Sequence, residues 1–89
     1  MVNVQSQTDV YLIEKSQELD KLAGVLQGEK IIAVDTESNS LYAYREQVCL
    51  IQFSTLEADY LVDPLALNDL SPLKPVFENP GIEKVFHAA

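Results

Sequence analysis

Asp35 and Glu37 stand one residue apart at the end of the apolar run Ile31-Ile32-Ala33-Val34. In an extended strand, residues i and i+2 project from the same face, so the two carboxylates converge beside the mouth of a buried sheet. Such a pair suits a hard divalent cation. Mg²⁺ takes oxygen ligands, often only one or two of them from protein, and fills its shell with water and substrate phosphate. Two such ions about 3.5–4 Å apart activate a water and stabilise the leaving oxygen of a phosphodiester. A D-x-E tripeptide alone serves equally well as two solvated turn acids or as partners for a lysine, so its surroundings have to decide.

Those surroundings read as a mixed α/β unit. Tyr11-Leu12-Ile13 is a short apolar segment suited to an edge strand. Ser16 then offers an N-cap, with Glu18 and Asp20 in the first turn, where acids favour the helix dipole. Leu19, Leu22, Ala23 and Leu26 follow at i, i+3, i+4 and i+7, and Gly28 stops the helix. The run Ile31 to Glu37 predicts a strand buried on both faces, because its apolar residues are consecutive instead of alternating. Val48 to Ser54 and Asp59 to Val62 are two further strands, joined through Thr55-Leu56-Glu57-Ala58, a connection short enough for an antiparallel hairpin. These three strands predict a meander. Ser71 as N-cap and Pro72 at N1 start a short helix carrying Leu73, Val76 and Phe77, which Pro75 keeps irregular. Asn79-Pro80-Gly81 is a turn, and Glu83 to His87 is a fourth strand beyond the meander. A strand buried on both faces needs helices on both sides of the sheet, and two helices leave some apolar surface uncovered.

Composition narrows the function classes. The 89 residues are 47% apolar and 22% charged, ordinary for a small globular domain and unlike a disordered chain. No apolar stretch approaches the roughly 20 residues that span a bilayer, and no leader pattern opens the chain, so a cytoplasmic location and no membrane partner are expected. The one cysteine, Cys49, lies in an apolar strand and reads as a small core thiol. A net charge of −8, with only six basic residues, argues against broad electrostatic gripping of nucleic acid. An enzyme that meets phosphate through bound cations escapes that objection in part. Gly24, Gly28 and Gly81 form no phosphate-cradling loop.

The run Ala33-Val34-Asp35-Thr36-Glu37-Ser38-Asn39-Ser40-Leu41, then Val48 to Ser54 and Tyr60-Leu61-Val62-Asp63-Pro64, resembles the ribonuclease D group of 3'-5' exonucleases in the DEDD superfamily. The closing Lys84-Val85-Phe86-His87-Ala88-Ala89 is similar to the start of that family's second exonuclease motif. The resemblance implies a partial ribonuclease H-like fold: a mixed sheet with a three-stranded antiparallel meander, a following short helix and a fourth strand. It implies one truncated domain over residues 1–89, with 1–29 an N-terminal extension carrying the helix and 30–89 the first half of the core.

By the same resemblance, Asp35 and Glu37 are the catalytic first-motif ligands of two Mg²⁺ or Mn²⁺ ions. Ser38 falls where the family meets the 3'-terminal nucleotide through main chain, and Leu41 matches the apolar residue that packs on the terminal base. An apolar loop residue beside a metal site can stack on any base without selecting sequence, and Leu41 reads equally well as a loop residue folded back on the core. Tyr42 and Tyr44 read as hydrophobic cover, Arg45 as a solvated loop cation, Gln52 as a hydrogen-bonded sheet residue and His87 as a structural residue at a strand end. The family's later motifs supply two further acids and a residue that positions the attacking water. Asp63 and Asp69 do not occupy those positions.

The implied activity is metal-dependent hydrolysis of phosphodiester bonds at the single-stranded 3' end of RNA or DNA, with this chain alone expected to be inactive. A homo-oligomer or a completing polypeptide is expected beside it. The competing reading is a noncatalytic acidic interaction module or truncated remnant that self-associates or docks a partner through its uncovered sheet.

Overall fold

The structure, a computed structural model, describes residues 9–39 and 47–88, with residues 38, 39, 47–49 and 88 described in backbone only. Five strands form one sheet: β1 (Asp9–Ile13), β2 (Ile31–Asn39), β3 (Gln47–Ser54), β4 (Ala58–Val62) and β5 (Glu83–Ala88). Helix α1 (Ser16–Gln27) follows β1, and a 3₁₀ turn over Ser71–Leu73 leads into α2 (Lys74–Glu78) before β5. The order across the sheet is β1-β4-β3-β2-β5. β2, β3 and β4 are the antiparallel meander, while β5 runs parallel to β2 and β1 parallel to β4. The expected edge strand thus extends to Asp9 and is the fifth member of the sheet. Parallel pairing explains its place, since it needs the long crossover that α1 and the meander provide.

The hairpin between β3 and β4 closes through Thr55. Its N–H donates to the Ala58 carbonyl at 2.9 Å, and its hydroxyl oxygen accepts from the N–H groups of Glu57 and Ala58 at 3.2 and 3.1 Å. Helix α1 starts one residue earlier than expected: Lys15 is the N-cap and Ser16 is already helical. A lysine side chain has no acceptor, and Glu18 does the capping instead. Its carboxylate accepts from the N–H groups of Glu14 and Lys15 at 3.0 and 3.2 Å, which satisfies donors that the helix leaves open. These bonds, first the one from Glu14, hold the Glu18 pKa below its ordinary value.

Ser71 is likewise a member of its 3₁₀ turn, and its N–H donates to Asp69 at 2.9 Å. Pro75 lies in the first turn of α2, where a missing N–H costs nothing.

Both helices lie on the same face of the sheet. Leu19, Leu22 and Leu26 of α1 and Leu73 and Val76 near α2 form one core with Ile13, Ile32, Val34, Phe53 and Val62 from four strands. The expectation that β2 is buried on both faces therefore fails. Ile32 and Val34 are buried, but Ile31 on the other face is 42% exposed, because no described element covers that side. The open face carries a shallow groove of about 270 Å³ lined by Ile31, Ala33, Ser54, Thr55, Leu56 and Val85. Uncovered apolar surface is what two helices on a five-stranded sheet predict.

Candidate functional site

Asp35 and Glu37 sit toward the C-terminal end of β2, and the ladder with β3 is regular up to Glu37. Regular alternation puts both side chains on the open face, and both are exposed. Immediately after Glu37 the register shifts: Glu37 pairs with Leu50 and Ser38 with Val48. Cys49 is the extra residue of this bulge. Bulges bend a strand, raise its twist and re-aim the chain, and this one separates the two acids from Ser38. The expected burial of the Cys49 thiol lies outside the described side chains.

The neighbours of Asp35 come from both adjoining strands. Gln52 of β3 is directly opposite it in the antiparallel ladder, and His87 of β5 is its partner in the parallel one. Directly paired residues share a face, so the open face carries a row Gln52–Asp35–His87. Gln52 is half-buried and donates from Nε2 to Ser54 Oγ at 3.2 Å, while His87 is exposed. Gln52 is hydrogen-bonded as its sequence context predicts. Its lateral place beside Asp35 depends on register, for which the one signal is a lone amide in the apolar run Val48 to Phe53.

The two other acids weighed from the sequence, Asp63 and Asp69, are engaged elsewhere. Asp63 caps the turn after β4, accepting from the N–H groups of Leu65 and Ala66 at 2.9 and 3.2 Å. Asp69 accepts from Ser71, and that bond lowers its pKa. Ser38 is a backbone member of β2 beyond the bulge, whereas Leu41, Tyr42, Tyr44 and Arg45 lie outside the described residues.

Among the described residues, no group of three or more His, Cys, Asp or Glu is gathered to hold a metal ion. Two exposed carboxylates on one face are still a fitting donor set for Mg²⁺ or Mn²⁺, which draw few ligands from protein and the rest from water and phosphate. Thiolate-seeking or imidazole-seeking metals have no such set among the described residues.

Comparison with known proteins agrees with this architecture. A family model described as 3'-5' exonuclease matches residues 10–89. The Exosome complex exonuclease RRP6 of Saccharomyces cerevisiae is 47% identical over 78 residues, which are 86% of this chain and 11% of that protein. The catalytic core of RRP6 from Trypanosoma brucei, a C496S mutant, superposes with a TM-score of 0.85 at 36% identity, covering 91% of this chain and 23% of that one. Escherichia coli RNase D, described as an exoribonuclease involved in structured RNA processing, superposes with a TM-score of 0.78 at 34% identity, covering 97% of this chain and 21% of that one.

The chain belongs to the 3'-5' exonuclease family, in its ribonuclease D and Rrp6 branch, and its sheet is part of a ribonuclease H-like fold. It spans about a tenth of the length of the first curated relatives it matches. No helix among the described residues is long and apolar enough to cross a membrane.

Proposed function

We propose that Asp35 and Glu37 are the first-motif half of a two-metal site that removes nucleotides from the 3' end of single-stranded RNA. The observation that carries the reading is their shared, exposed placement on β2, in a chain whose relatives include an exosome exonuclease and an exoribonuclease. RNA is favoured over DNA by those relatives alone. Asp35 and Glu37 hold Mg²⁺ or Mn²⁺, which supplies charge stabilisation at the phosphoryl oxygens and an acidified water. In a chain of net charge −8, the two carboxylates attract the cations that allow the phosphate to approach. The main chain at Ser38, set apart by the bulge, meets the terminal nucleotide, and Leu41 packs on its base.

Two acids alone do not fix a pair of ions for in-line attack, and further carboxylates from outside the described residues complete the site. The chain by itself accordingly binds a 3' end without trimming it. The test is fluorescence anisotropy of a short single-stranded RNA with a free 3' end, in Mn²⁺ and in EDTA, together with a 3'-label release assay. Mn²⁺-dependent binding that an Asp35→Ala, Glu37→Ala double variant loses supports the reading. Binding indifferent to Mn²⁺ and to those substitutions refutes it, and label release by the chain alone refutes its inactivity.

One observation favours a second role beside this one. The open face exposes Ile31, Val85 and Leu56 around a groove, and an uncovered sheet face is adhesive. The chain then joins a second copy or a completing polypeptide there.

A further inference from the structure

Gln52 is a half-buried amide next to a proposed ligand. A side-chain amide carries two N–H donors. One is committed to Ser54 Oγ, two residues along the same strand and on the same face. Asp35 is the residue directly across the ladder, at the roughly 4.5–5.5 Å Cβ separation of paired strand residues. The serine bond removes the amide's freedom to turn, leaving the second N–H for an acceptor on the neighbouring strand. Register places the Asp35 carboxylate across from it. A carboxylate that holds a cation through one oxygen has its other oxygen available for such a donor.

We propose that Gln52 is a positioning residue for Asp35: its amide, anchored on Ser54, donates its second N–H to the Asp35 carboxylate and fixes which oxygen faces the cation. The inference rests on the metal reading of Asp35 and Glu37. It assigns Gln52 no contact with substrate. Ser54 is the anchor of the arrangement, so Ser54→Ala releases the amide and acts in the same direction as loss of Gln52, but more weakly.

The experiment has a metal-free and a metal-bound arm. In the metal-free chain, the Gln52 side-chain N–H resonances move when Asp35 is replaced by Ala and stay in place for Glu37→Ala, which removes the same charge one step further along β2. Resonances that ignore Asp35→Ala overturn the proposal whether or not a cation binds. In the second arm, Mn²⁺ affinity is measured by calorimetry for the wild type, Gln52→Leu, Ser54→Ala and the Asp35→Ala, Glu37→Ala double variant, with the thermal midpoint of each. Loss of an outer partner of a metal ligand costs about 10–100-fold in affinity, and Gln52→Leu is expected at the lower end with its thermal midpoint kept. Wild-type affinity in Gln52→Leu, with binding lost in the double variant, overturns the role of Gln52 and leaves the metal site standing. Wild-type affinity in the double variant as well overturns the metal site itself.

Discussion

His87 on β5 is the parallel-ladder partner of Asp35 on β2, so the only histidine of the chain stands next to the first acid of the candidate site. Exposure and a strand-end position leave it without a core role. A paramagnetic ion at Asp35 and Glu37 broadens nearby nuclei first. Substoichiometric Mn²⁺ is expected to erase the His87 imidazole signals while sparing the rings of Tyr11 and Tyr60, which stack at 5.4 Å on the helix-covered face. Equal broadening of both sets would place the ion elsewhere.

Gly24 lies inside α1, and a Cβ added there meets nothing within 4 Å. Glycine in a helix interior is destabilising relative to alanine by roughly 0.5–1 kcal/mol, partly through the freedom it gives the unfolded chain. Gly24→Ala is expected to raise the urea midpoint by that increment with an unchanged slope. A loss of stability would mean that this face of α1 is covered in solution.

Acid sensitivity should report the Glu18 cap. Its folded pKa is lowered, so the native state binds fewer protons than the unfolded chain. Its stabilisation is present above the ordinary value of 4.5 and is lost as the pH falls through the lowered one. Glu18→Gln is expected to destabilise the chain at neutral pH, with the gap to wild type narrowing below pH 4.5. A gap independent of pH in urea titrations would rule out the charged cap as its cause.

Val85 is 37% exposed on the open face and lines the groove with Ile31 and Leu56. Sedimentation velocity at rising concentration is expected to show association of the wild type that Val85→Lys weakens, because a lysine there must be desolvated in any face-to-face contact. Identical sedimentation of both proteins would exclude this face from self-association.

Much of this architecture is legible in the residues. The leucine spacing of α1 and the Thr55 to Ala58 connection fix local structure, so the helix and the β3–β4 hairpin emerge where the sequence predicts them. D-x-E at the end of an apolar strand is legible for the same reason, since strand alternation is a property of neighbours in sequence. Register between strands is not. The bulge at Cys49, the parallel pairing of β1 with β4, and the row of Gln52, Asp35 and His87 depend on contacts between distant segments. Consecutive apolar residues in β2 also mislead about burial. They record a strand suited to cover on two sides, whereas the described helices supply one.

Whether Asp35 and Glu37 hold a divalent cation is read from Mn²⁺ titration by calorimetry of the purified chain beside its Asp35→Ala, Glu37→Ala double variant. A cation at these two carboxylates gives weak, saturable binding by the wild type that Mg²⁺ displaces and the double variant lacks. Equal heats from both proteins, or no heat from either, would contradict it.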